Sequence, residues 1–132
     1  MENTEQAKAF FADDRYATHV LGVEIVSAVP HRAVCRMAAQ ENLCNAMGAV
    51  MGGALFSLCD FAFAVAANSP TERVVTLSAN THFLAPARGS SFLAEAVCVR
   101  DGGHVCVYEV TVTDEAGEKI CLVTLNGYKK YL

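Results

Sequence analysis

The chain has little charge. Charged residues make up only 18% of 132, and 53% are hydrophobic. Ten Lys and Arg against fourteen Asp and Glu leave a formal net charge of −4. No Lys/Arg-rich stripe occurs, and only Lys129–Lys130 are adjacent, so a nucleic-acid binder is excluded. The N-terminal stretch "MENTEQAKAFFADDRYATH" has acids where a signal peptide needs a basic region, and no apolar core follows it. A cytoplasmic protein is expected. Six cysteines (Cys35, Cys44, Cys59, Cys98, Cys106, Cys121) lack CxxC spacing, and the four histidines stand apart. No metal site and no cofactor is therefore expected, and the cysteines read as small, reduced core residues. One pair carries an alternative: a three-residue turn at Asp101–Gly103 would set Cys98 opposite Cys106, where a disulfide could form in an oxidising compartment.

No repeat, low-complexity run or Pro/Ser-rich linker divides the chain, which predicts one domain over 1–132 with a helical N-terminal segment over 1–20. Residues 4–14 read as a short amphipathic helix. "GVEIVSAV" (22–29) and "RAVCRMAA" (32–39) read as strands around a Pro30–His31 turn. An apolar helix is predicted from Gly53 to Ala67, and four strands follow at 73–85, 90–100, 104–113 and 118–128. Their connections "APARGS", "RDGGH" and "DEAGE" carry turn chemistry. One long helix among six strands is an α+β pattern. The strands "FLAEAVCV", "VCVYEVTV" and "ICLVTL" are apolar on both faces, which predicts a helix on one face and another subunit on the other. The apolar excess of the whole chain agrees with a subunit interface.

Within "MGGALFSLCDFAFAVAAN" (51–68) the one charge is Asp60. An unpaired buried carboxylate costs several kcal/mol or takes up a proton. Three explanations compete: a membrane span with an embedded acid, a structural carboxylate, or a catalytic group. Glycines interrupt the first third of the apolar run, and fifteen helical residues reach only ~22 Å against a ~30 Å hydrocarbon core. No membrane span is expected. Gly52 and Gly53 at a helix start would leave backbone N–H groups open to an anion, the material of an oxyanion hole. Asp60 in low dielectric suits a general base or a nucleophile, and Asn45 offers an amide. The same residues also fit close helix packing and a buried polar network, and the residues alone leave both readings open.

The segment "NAMGAVMGGALFSLCDFAFAVAANS" (45–69) resembles the signature of hotdog-fold acyl-CoA thioesterases of the phenylacetate-degradation (PaaI-like) type. That signature is Asn, five residues, His-Gly-Gly, then Asp eight residues after the first of the two glycines. "THFLAPARGS" (81–90) is similar to the family's strand end and turn, and the resemblance extends over roughly residues 15–130. It implies a hotdog fold, a helix wrapped by a curved antiparallel sheet, and a thioesterase acting on acyl-CoA. The implied catalytic residues are Asp60, Gly52 and Asn45, with Met51, Gly53, Thr76 and Arg88 at the substrate. Arg88, Arg100 and Lys129–Lys130 are the basic groups available to CoA phosphates. Two departures stand out: Met51 replaces the family's His, and Ala64 lacks a hydroxyl found in some relatives. A non-catalytic acyl-CoA sensor and a hotdog hydratase or dehydratase are the alternatives.

Helix geometry adds a constraint of its own. Eight residues separate Gly52 from Asp60, about 12 Å along one axis. No thioester carbon sits within ~3 Å of both. A homodimer with antiparallel helices, and by extension a homotetramer, is expected to bring the two together.

Overall fold

The computed structural model describes all residues, Met1–Leu132. Helix α1 (Thr4–Phe10) is capped by Asn3, whose side chain accepts from the Gln6 N–H. It ends four residues earlier than the pattern suggests. A single π-type turn, Tyr16–Val20, follows and is closed by Leu21 N–H to Tyr16 O at 3.0 Å. Strands β1 (Glu24–Val29) and β2 (Arg32–Ala38) form a hairpin around Pro30–His31, with His31 at φ 69°. A short 3₁₀ turn, Glu41–Leu43, leads into the loop before helix α2 (Gly52–Ala67). Strands β3 (Glu72–Phe83), β4 (Ser91–Asp101), β5 (Val105–Asp114) and β6 (Lys119–Tyr131) complete the chain.

The six strands make one antiparallel sheet in the order β1-β2-β4-β5-β6-β3. The sheet curves around α2 in the hotdog manner. Alternation places Ala33, Cys35 and Met37 of β2, Phe92, Ala94 and Ala96 of β4, and Val110 and Val112 of β5 inward against Leu55, Leu58, Cys59, Ala62 and Val65 of the helix. Most of α2 is thus buried, as an all-apolar helix requires. Its exceptions are Gly52 at the helix start and one stripe, Gly53, Phe56, Ser57, Asp60 and Ala64, which stay half-buried or exposed. Those positions recur at three- and four-residue spacing, so they share one face. No helix is long and apolar enough to cross a membrane.

Two expectations need correction. The outer sheet face is not uniformly apolar: it carries the ion pairs Arg32–Glu95 and Arg36–Glu24, with Thr111 and Thr113 beside them. Exposed apolar residues stand on the edge strand β3 and just beyond it, at Val75, Leu77, Phe83 and Leu84, and also on β1, β4 and β5, at Val26, Val29, Leu93, Val99 and Val105. The Cys98–Cys106 pairing also fails. The hairpin turns at Gly103–His104, closed by Gly102 N–H to Val105 O at 3.0 Å, and not at Asp101–Gly103, so Cys98 faces Tyr108 and Cys106 faces Asp101. All six cysteines are free thiols.

Candidate active site

The loop before α2 is built on Asn45. Its side-chain oxygen accepts from Met47 N–H at 2.9 Å and Ala49 N–H at 3.3 Å, and its backbone N–H donates to Ala49 O at 2.7 Å. Gly48, at φ 80°, supplies the left-handed step that closes this turn. The Asn45 carbonyl oxygen is therefore committed to the loop, and only its NH₂ group remains free. Met51 N–H donates to Leu43 O at 2.8 Å, and Val50 N–H to Ala87 O at 2.9 Å, which fix where the helix begins. Met51 is the N-cap residue, with no side-chain cap, and its side chain is 59% exposed.

Gly52 and Gly53 start the helix, and neither N–H finds an acceptor anywhere in the chain. These are orphan donors of a helix N-terminus, reinforced by the macrodipole. The Phe83 ring lies directly over Gly52: a Cβ there would meet ring carbons at 2.9 and 3.0 Å, whereas one on Gly53 would meet nothing within 4 Å. Around Gly52 opens a cleft of roughly 330 Å³, walled by apolar residues such as Leu55 and Phe83, with Asn45 and Arg88 among its polar members. The exposed Arg88 guanidinium donates to Met47 O at 3.3 Å across this cleft.

Asp60 lies elsewhere on the same helix. Thr76 Oγ1 donates to its Oδ1 at 3.2 Å, and a separate pocket of roughly 130 Å³ opens beside it. Burial pushes the Asp60 carboxyl above the ordinary carboxylate range; the Thr76 hydroxyl pulls it back, and the Asp14 charge adds to the rise. Within the chain, then, Asn45, Gly52 and Arg88 share one cleft, while Asp60 and Thr76 stand together apart from it. Met51 and Gly53 flank the first group at the helix entry.

Two features escaped the sequence. Phe83, inside the "THFLAPARGS" segment, covers the Gly52 donor; its signal was a large apolar residue at a strand end, which reads equally well as core. Lys129 is not available to a phosphate, because it is 5% exposed and bound to Asp101 and to Gly102 O. No three His, Cys, Asp or Glu side chains come together as a metal site would require.

A family model described as the thioesterase superfamily matches residues 47–121, which spans the loop, α2 and most of the sheet. Acyl-coenzyme A thioesterase PaaI of Escherichia coli (strain K12) is 30% identical over 119 residues, covering 89% of this chain and 84% of that protein. A 1,4-dihydroxy-2-naphthoyl-CoA hydrolase of Listeria monocytogenes is 29% identical over 105 residues, covering 77% of this chain and 85% of that protein. The solved E. coli PaaI structure superposes with a TM-score of 0.89 at 27% identity, covering 96% of this chain and 91% of that one. The Streptococcus mutans protein smu.793, solved bound to acetyl CoA, shares the fold with a TM-score of 0.78 at 24% identity, over 83% of this chain and 89% of its own. The chain belongs to the thioesterase superfamily, as a PaaI-like hotdog thioester hydrolase.

Proposed function

We propose that this protein hydrolyses acyl-CoA thioesters to free acid and CoA at sites shared between two protomers. One observation carries the reading: a pair of unsatisfied N–H groups and a half-buried carboxylate lie on one helix, eight residues apart. At about 12 Å they are too distant to act on one carbonyl within a protomer. The edge strand β3 has a free side, and exposed Val75, Leu77, Phe83 and Leu84 flank it. Antiparallel pairing of two such edges about a two-fold axis sets the uncovered stripes of the two helices side by side and running in opposite directions. Asp60 of one protomer then faces Gly52 of its partner, twice per dimer. Pairs of dimers would complete a homotetramer. We also propose a cytoplasmic location for the enzyme.

In this site Asp60 attacks the thioester carbonyl or takes the proton of the water that attacks it. The Gly52 N–H, with Gly53 beside it, receives the developing oxyanion, where preorganised donors act most strongly. Thr76 orients the carboxylate. The Asn45 NH₂ orients water or substrate, Met51 borders the reacting carbonyl, and Arg88 lies where the CoA arm leaves the cleft. Acyl-CoA as the substrate class is supported by the PaaI relative and by the acetyl CoA held by smu.793.

A panel of acyl-CoAs incubated with a thiol reagent tests this reading. Release of free CoA is the expected result. The exposed thioether of Met51 at the helix entry favours a second reading, a sensor, which would bind acyl-CoA without release. Addition of water across an acyl double bond without release would identify a hydratase, and either outcome would overturn hydrolysis.

A further inference from the structure

The pocket beside Asp60 is formed by α2 and by the turn that follows α1. The turn contributes Asp14, Tyr16 and Ala17, and the helix contributes Phe56, Asp60 and Phe61 as its larger members. The π-type geometry at Tyr16–Val20, a form enriched at functional positions, holds this wall in place. Backbone bonds secure it further: Thr18 donates from both N–H and Oγ1 to Asp14 O, and Val23 N–H donates to Ala17 O at 2.8 Å. The Asp14 carboxylate itself accepts no hydrogen bond and pairs with no cation. It stands close enough to raise the proton affinity of Asp60. The pocket thus holds two carboxylates and no basic side chain.

A thioester bound at the shared site has two arms. The CoA arm is long and anionic, and the larger cleft of roughly 330 Å³ with Arg88 suits it. The acyl arm is left the smaller pocket of roughly 130 Å³, which suits a compact group. We propose that the Asp14–Ala17 turn is the acyl-selecting wall of this enzyme, admitting compact uncharged acyl groups and rejecting those that end in a carboxylate. Asp14 acts by like-charge repulsion in a partly desolvated pocket, a device that sets specificity through what it excludes. The inference rests on the acyl-CoA reading above.

The test separates selection from turnover. Two unreactive CoA thioethers, S-butyl-CoA and S-(3-carboxypropyl)-CoA, are titrated by calorimetry, and their ester counterparts, butyryl-CoA and succinyl-CoA, are assayed for CoA release. Wild-type protein should bind the uncharged tail about tenfold or more tightly over the carboxylated one, and Asp14→Asn should narrow that ratio roughly threefold or more, as a partly screened charge pair requires. Asp14 has no side-chain hydrogen bond, so this variant loses none. Asp13→Asn, which removes an equal charge one residue away from the pocket wall, should leave the ratio as it is. Equal or tighter binding of the carboxylated tail to wild type overturns the proposal, as does an unchanged ratio in Asp14→Asn or binding of neither thioether. Selective binding with CoA released from neither ester sustains the proposal and overturns hydrolysis alone.

Discussion

Two lesions, each fatal alone, should restore activity when combined in one dimer. The first is Asp60→Asn, which removes the carboxylate with little change of shape. The second is Gly52→Pro, which removes the N–H proposed to hold the oxyanion. Local geometry favours the proline: Gly52 is the first residue of α2, where proline is common, and Met51 before it has ψ 142°, the extended conformation that proline demands of its predecessor. The remaining obstacle is the Phe83 ring, which a new Cβ would meet at 2.9 Å. That ring is 56% exposed and free to swing outward. Gly52→Ala is the control, since it adds the same Cβ and keeps the N–H, so it should retain far more activity than Gly52→Pro.

Both homodimers of the lesioned chains should be inactive, because every shared site contains one lesion. In a mixed dimer one site receives both lesions and the other receives neither. Random re-pairing makes about half the dimers mixed, with one good site of two, so about a quarter of wild-type activity should return. Circular dichroism establishes that each variant folds, native mass spectrometry establishes subunit exchange, and CoA release is the readout. Mixed dimers that are present and inactive would refute the shared site, because a site built within one protomer carries a lesion in every chain.

Three further outcomes are expected. Asp60→Asn alone should lower kcat by at least ~100-fold; it should also be no less stable than wild type at neutral pH, because a carboxyl raised by burial contributes stability that is present below its unfolded pKa and lost as pH rises through its folded one. Thermal melts over a pH series check this, and a variant less stable at neutral pH would contradict it. Met51→Leu should reduce kcat less than Asp60→Asn does, since a thioether neither donates nor titrates; equal inactivity in a folded Met51→Leu protein would show that the side chain at the helix entry takes part in the chemistry. Melting temperature should be the same with and without reductant, because the six thiols are free and burial pushes Cys35 up to about 12; a large drop on adding reductant would indicate a disulfide.

The helix and the six strands were legible in the sequence because their signals are local. An apolar run bounded by Gly52 and Asn68, and alternation between turn residues, need no knowledge of partners. The order of the strands is a different kind of fact. β3 follows α2 in the chain, yet it pairs with β6 and ends at the sheet edge, a choice made by contacts some fifty residues apart in sequence. Register is the finer miss: the β4–β5 hairpin turns at Gly103–His104 rather than at Asp101–Gly103, so Cys98 never comes opposite Cys106, and several Gly-containing turns fit the same stretch "RDGGH". The spacing of Asn45, Gly52 and Asp60 was readable, but Asp14 and Phe83 were not. Each meets the helix only through tertiary packing, and each has an ordinary sequence context, an acidic turn in one case and an apolar strand end in the other.

The lone charge of α2 is tolerated because of where it falls on the helix. Asp60 occupies the one stripe that the chain's own sheet leaves uncovered, so it is only half-buried and keeps a hydroxyl partner in Thr76. One or two residues back, at Cys59 or Leu58, a carboxylate would be sealed in the core with no such relief, at a cost of several kcal/mol. That placement also determines what the carboxylate can do. Burial, with the Asp14 charge, raises its proton affinity against the pull of the Thr76 hydroxyl, which moves it toward the range in which a base acts at neutral pH. In the proposed dimer, full desolvation, which would sharpen every electrostatic interaction in the site, would come from a second helix over the same stripe. Under the proposed shared site, the stripe left bare for that helix would let a carboxylate and an oxyanion donor about 12 Å apart on one chain belong to one reaction.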